Sequence, residues 1–77
     1  MKTTYITLTA ADNSYSQPTD TINGEITAAE YIEQCRTNNG AEYWVQDIGA
    51  EITAKVYADG ADPMFDDPIS TTSAEIR

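Results

Sequence analysis

The side chains that could carry chemistry in this chain are few, and the ones enzymes use most are missing. None of the 77 residues is a histidine, which removes the commonest general base and the commonest metal ligand. Cys35 is the only thiol. It falls on the apolar stripe of a helix with no imidazole to hold it as thiolate, so it reads as a buried structural cysteine rather than a nucleophile. No serine or threonine sits in a Gly-flanked elbow or a Ser-x-x-Lys pattern. Gly24, Gly40, Gly49 and Gly60 are isolated turn glycines, so no Gly-rich loop is offered to a phosphate.

What remains is carboxylate. The densest run is Asp59-Gly60-Ala61-Asp62-Pro63-Met64-Phe65-Asp66-Asp67. A calcium-binding EF-hand loop needs acids at positions 1, 3 and 5, Gly at 6 and Glu at 12. Here the Gly follows the first Asp directly and the next Glu is Glu75. The run therefore reads as a solvated, proline-bounded charge cluster and an interaction surface. The expectation is a non-enzymatic protein with no catalytic residue, no cofactor and no metal.

Thirteen acidic residues oppose four basic ones, a formal charge of −9. Self-repulsion of this size keeps a small protein soluble while weakening its compact state. Contact with DNA, RNA or an anionic membrane would be repulsive, whereas a partner with a basic surface would be attracted. No apolar run approaches the roughly 20 residues of a membrane span, and no charged-then-apolar leader opens the chain. A single cysteine leaves no internal disulfide. These features predict a protein free in the cytoplasm of a bacterial host, as a monomer or weak homodimer.

The elements that must position these groups are organised around Ile26 to Gly40, ITAAEYIEQCRTNNG. Thr27 and Glu30 have the spacing of a capping box, and Ile26 and Tyr31 that of a hydrophobic staple. Ala28, Tyr31, Ile32 and Cys35 form one apolar stripe, with Glu30, Glu33, Gln34 and Thr37 facing away. Arg36 suits the carbonyl end of the helix dipole, and Asn38-Asn39-Gly40 can end the helix in the left-handed conformation. At roughly three turns such a helix is marginal alone and needs a sheet to lie on.

Residues 1–10 alternate as a half-buried strand, with Ile6, Leu8 and Ala10 on one face and Tyr5, Thr7 and Thr9 on the other. A loop follows, with Asp12-Asn13-Ser14 and Pro18 as turn residues. Thr19 to Glu25 reads as a short second strand with Ile22 turned inward, ending in an Asn23-Gly24 turn. After the helix, Glu42 to Ile48 and Glu51 to Ala58 are two period-2 runs around Gly49, which predicts an antiparallel hairpin. Asp59-Gly60 closes it. In the remainder Met64, Phe65 and Ile69 could tuck against the sheet, Ile69 to Ile76 could add a last strand, and the final residues are expected to be mobile. The core candidates are Ile6, Leu8, Ile22, Ile32, Cys35, Val45, Ile52 and Val56. The expected fold is α+β in one domain spanning 1–77: a small antiparallel sheet of about three to five strands covered on one face by a single α-helix. Its order is β(β)αββ over 1–60, followed by an irregular acidic tail over 61–77.

The outer face of that sheet would carry Tyr5, Tyr57 and either Tyr43 or Trp44. Exposed aromatics anchor protein interfaces; they also stack bases, a use the charge opposes. The alternative is that Met64 and Phe65 fold back over this face as a second small core. The acids admit a decoy reading as well. Side chains on one face of a strand repeat at roughly 6.6 Å, near the spacing of successive phosphates, so carboxylates on strand edges and a helix face can occupy a groove lined with Lys and Arg. The candidate partner-binding residues are Glu30 and Glu33 on the helix, Glu42, Trp44, Asp47, Glu51 and Tyr57 around the hairpin, and Asp59, Asp62, Asp66 and Asp67 beyond it.

The strand YITLTA, the helix segment TAAEYIEQC and the run EYWVQDIGAEITAKVYADG, with the acids among them, resemble in size, charge and layout the small acidic anti-CRISPR proteins of phages and mobile elements. No signature residue carries that resemblance, so no family site is transferred. It implies a protein that binds a CRISPR-Cas or other nucleic-acid-handling complex and blocks its target DNA. A reading of another class is a small structural or regulatory module, antitoxin-like or self-associating, pairing through an open edge of EYWVQDI or EITAKVY.

Overall fold

The computed structural model describes residues 1–37 and 48–77. Four strands and one helix follow one another as β1 (Thr3–Thr9), β2 (Ser16–Asn23), α1 (Ala28–Thr37), β3 (Glu51–Tyr57) and β4 (Ser70–Glu75). The strands form one antiparallel sheet in the order β2-β1-β3-β4. This is the expected α+β arrangement of a small antiparallel sheet with a single helix.

The period-2 pattern of β1 decides which face is buried. Thr4, Ile6 and Leu8 point inward and are buried, while Thr3, Tyr5, Thr7 and Thr9 are only partly covered. β3 supplies Ile52 and Ala54 directly opposite Leu8 and Ile6. Above them α1 lays Ala28, Tyr31, Ile32 and Cys35, and Ile26, Ala50 and Ile76 complete the cluster. Ile22 packs against it from β2. Of the core residues expected from sequence, only Val45 lies outside the described residues; Val56 is buried as well.

The start of the helix is fixed by hydrogen bonds to its first amides. Thr27 Oγ1 accepts the Glu30 N–H at 3.2 Å, and Glu30 Oε1 accepts the Thr27 N–H at 3.0 Å, the reciprocal pair expected of a capping box. The Ala28 N–H is taken from across the fold by Thr72 Oγ1 at 2.8 Å. Two residues earlier, the fully buried Thr4 hydroxyl accepts the Ile26 N–H at 3.3 Å and donates to the Gly24 carbonyl at 2.7 Å. At the other end Thr37 Oγ1 donates back to the Glu33 and Gln34 carbonyls, and the Arg36 guanidinium donates to the Arg77 main-chain oxygen. The helix stop expected at Asn38-Asn39-Gly40 lies outside the described residues.

Three expectations are corrected. First, the second strand starts at Ser16 and runs through Pro18. Proline is tolerated there because β2 is an edge strand, and Thr19 is the extra residue of a bulge, its Oγ1 donating to the Ile6 carbonyl at 3.3 Å. Second, β3 is hydrogen-bonded to β1 on one side and to β4 on the other, so neither of its edges is left for a hairpin with 42–48. Of that segment, 42–47 lies outside the described residues and Ile48 is an exposed turn residue. Third, the C-terminal stretch is not irregular throughout; the last strand that Ile69 to Ile76 could add is present. Ser70–Glu75 is a strand, and Ile76 is fully buried, its N–H bonded to the Ala50 carbonyl and its own carbonyl accepting the Gly49 N–H. Gly49 takes φ +93°, and a Cβ there would stand 3.2 Å from the Ala11 Cβ, so this turn needs the residue without a side chain.

Two substitutions test this account. Ile76→Ala should lower stability by about 2–5 kcal/mol, the usual cost of truncating a buried large aliphatic side chain. Thr4→Val should cost about 1–3 kcal/mol by leaving the Ile26 N–H and Gly24 carbonyl unpaired, whereas Thr4→Ser should keep most of the stability. Urea midpoints followed by circular dichroism separate the three; an Ile76→Ala protein as stable as the parent would remove Ile76 from the core.

Candidate functional site

The connection from β3 to β4 is built by its own aspartates. Asp62 Oδ1 accepts the Met64 N–H at 2.9 Å, and the Asp62 carbonyl accepts the N–H groups of Phe65 (3.0 Å) and Asp66 (2.7 Å). Asp66 Oδ2 returns to accept the Asp62 N–H at 2.8 Å. Pro63 occupies the second position of this turn, where its fixed φ helps and its missing N–H is not needed. The loop is closed at its base by Ile69 N–H to the Val56 carbonyl, 2.6 Å, and by Ala61 N–H to the Ala58 carbonyl, 3.0 Å. Its tip presents Met64 and Phe65, 84% and 83% exposed. The expectation that these two side chains fold over the sheet is therefore overturned. The hydrogen bonds that aspartate offers the turn point them into solvent instead.

The helix contributes Glu30 and Glu33, both exposed and neighbours on the helix surface. The main-chain N–H of Thr27, followed by its hydroxyl, holds the Glu30 carboxyl below its ordinary value. The helix N-terminus and the β3–β4 loop leave the same end of the sheet, since Tyr57 pairs with Thr3 while Thr4 binds Ile26. That end collects Glu25, Glu30, Asp59, Asp62, Asp66 and Asp67. Lys2 answers Glu25 at 2.8 Å, and the Met1 amino group answers Asp59 at 3.1 Å. Among the described residues, Asp62, Asp66 and Asp67 meet no cation within ion-pair distance.

The remaining candidates divide. Glu51 is exposed on β3 and lies directly opposite Glu75 of β4, like charges side by side. No longer row of strand carboxylates exists among the described residues, because β1 has no acid and β2 carries only Asp20. A phosphate-like ladder on strand periodicity is therefore not built there. Glu42, Trp44 and Asp47, together with Tyr43, lie outside the described residues. Tyr57 is 6% exposed and meets Tyr5 edge-to-face, centroids 5.4 Å apart. It is not the exposed anchor expected of it, because the pair of rings buries its face.

Elsewhere the polar groups serve the fold. The buried Tyr31 hydroxyl donates to Asp20 Oδ2 at 3.3 Å; burial first, then Cys35 and Asp20, pushes this phenol well above its ordinary range. Among the described residues no group of three or more His, Cys, Asp or Glu could hold a metal ion, and no helix is long and apolar enough to cross a membrane. The feature sequence reasoning missed is the exposed Met64-Phe65 tip; its signal was the Asp62-Pro63 start with Asp66 four residues on. No protein-family model matches this chain, and no curated protein or solved structure matches it either.

Two measurements follow from these carboxylates. A folded-state pKa held low contributes stability above the unfolded value and loses it as pH falls through the folded value. Glu30→Gln should therefore melt below the parent at neutral pH, and the gap should close as pH drops below the ordinary value of 4.5. A gap independent of pH would mean the carboxylate charge is irrelevant to the cap. At the other end of the sheet, Glu51→Lys should raise the urea midpoint by the equivalent of about 0.2–1 kcal/mol, since it replaces a like-charge cross-strand pair by an opposite one.

Proposed function

We propose that this chain is a non-enzymatic binding protein that occupies a basic, nucleic-acid-handling surface of a partner protein. In its sharpest form it is an inhibitor of the anti-CRISPR type, which sits on a host defence complex and keeps target DNA out. The observation that carries this reading is the set of carboxylates at one end of the sheet, Asp62, Asp66, Asp67 and Glu30, which no cation neutralises among the described residues. Such a surface attracts a groove of Lys and Arg and repels nucleic acid itself. The size, charge and β/α layout add the resemblance to anti-defence proteins.

A second reading, a self-associating accessory module, is favoured by one observation. β4 is an edge strand of Ser and Thr with no further strand beside it among the described residues, and an open edge invites a second copy.

The test uses purified CRISPR surveillance complexes and labelled target DNA. Addition of this protein should displace the DNA at low salt and lose that effect as salt rises. Glu33→Lys combined with Asp67→Lys should weaken inhibition by about tenfold or more, on the order of 1.4 kcal/mol, with unchanged melting. Those two carboxylates accept none of the main-chain hydrogen bonds described above, so reversing them leaves the turn and the cap in place. If no complex responds and the mass in solution rises with protein concentration, the accessory-module reading replaces the inhibitor.

A further inference from the structure

We propose that the β3–β4 loop, residues 58–69, is the docking element of this protein. Met64 and Phe65 enter an apolar pocket on a protein partner, and Asp62, Asp66 and Asp67 meet Lys or Arg side chains around the mouth of that pocket. The proposal rests on the binding-protein reading above and names where and how the partner is held.

The exposure of two adjacent large apolar side chains is the starting observation, at 84% and 83%. Scattered apolar residues on a surface are ordinary. Here, however, the two lie together at the tip of a turn in which four hydrogen bonds converge on Asp62 and Asp66. The tip is thus presented rather than loose, and a partner would not have to order it, which lowers the cost of binding. Burying one such side chain in a pocket is worth at least about tenfold in affinity, and aromatic residues at a rigid position are the usual anchors of interfaces.

Charge selects the occupant. Asp62, Asp66 and Asp67 flank the tip within a chain of formal charge −9. An anionic lipid surface or a nucleic acid would be repelled before the apolar side chains could reach it. A second copy would bring the same carboxylates and the same net charge. A protein pocket ringed by cations gains from both parts of the loop, apolar inside and anionic at the rim, with electrostatic attraction speeding the encounter.

The first measurement needs no partner. A cyclodextrin bearing amino groups on its rim is an apolar cavity ringed by ammonium groups, and neutral β-cyclodextrin is the same cavity without them. Titrating each into the labelled full chain and following amide shifts by NMR should give changes centred on residues 62–67. The amino host should bind about tenfold more tightly than the neutral host at low salt, converging with it at high salt. Phe65→Ser should abolish both, and Glu75→Gln, at the other end of the sheet, should leave both unchanged. Equal affinity for the two hosts, or shifts centred on the exposed Tyr15 instead, overturns the proposal. The second measurement uses a complex that this protein inhibits. Met64→Ser with Phe65→Ser should weaken inhibition by at least about tenfold. Inhibition retained in that variant overturns the docking element and leaves the binding-protein reading standing. If no complex is inhibited, that reading fails by itself, and the host titration still decides whether the loop is built for a cation-rimmed pocket.

Discussion

The hydroxyl of Thr4 is the smallest group on which the architecture depends. It sits on the central strand β1, fully buried, with the Gly24 carbonyl as its acceptor and the Ile26 N–H as its donor. A hydrophobic residue at that position would extend the β1 stripe and leave two main-chain groups without partners, at about 1–3 kcal/mol. With threonine there, the turn that ends β2 is pinned to β1, and the helix must begin just after its cap, Thr27. From that start the 3.6-residue period places Tyr31, Ile32 and Cys35 over β3 and β4. A small domain that buries only about 60% of its unfolded surface has little stability in reserve, so a wrong entry angle for α1 would expose a large share of the core.

The acidity of the chain has two origins that the net charge alone does not distinguish. Asp12, Asp20, Glu30, Asp62 and Asp66 each accept a main-chain N–H, from Ser14, Thr21, Thr27, Met64 and Asp62 respectively. Asp12, Asp62 and Asp66 serve turns, Glu30 the helix cap and Asp20 the bulged strand β2, each as a side-chain acceptor, and their charge comes with that role. Glu33, Glu51 and Asp67 accept none of these bonds, and Glu51 faces Glu75 at some cost to the sheet. A fold indifferent to charge could have used Asn or Gln at those three positions. Of the carboxylates at the loop end of the sheet, Asp67 is therefore one whose charge the fold itself does not require.

How far the sequence could be read follows the range of the interaction involved. The capping box, the apolar stripe of the helix and the alternation of β1 and β3 are local signals, and each lies where its spacing puts it. β4 is different. Ser-Thr-Thr-Ser-Ala-Glu has no apolar alternation, so the sequence offers a last strand there only beside an irregular tail, and its pairing with β3, with Thr72 capping the helix across the fold, decides between them. The hairpin expected around Gly49 failed for the complementary reason. Two strong β-forming runs beside a glycine look like neighbours, yet the edges of β3 go to β1, far away in the chain, and to β4, which follows it. Tyr57 shows the limit at a single side chain: period 2 put it on the outer face, yet it is buried, with the Tyr5 ring edge-to-face beside it. The apolar tip at Met64 and Phe65 was hidden by the habit of assigning large apolar residues to a core.

The two edges of the sheet carry different protections. β2 is interrupted by Pro18 and bulged at Thr19, both of which spoil a regular ladder for a second chain. β4 has neither device; its defence is composition, a run of small hydroxyl side chains ending at Glu75. Threonine and serine make a weakly apolar edge, so pairing of two copies there would gain main-chain hydrogen bonds but bury little hydrocarbon. Each copy would also bring its own charge of −9 into that contact. Electrostatic repulsion thus supplies for β4 what proline and the bulge supply for β2. On this argument the excess of acid both draws the protein toward a cationic surface and holds its copies apart.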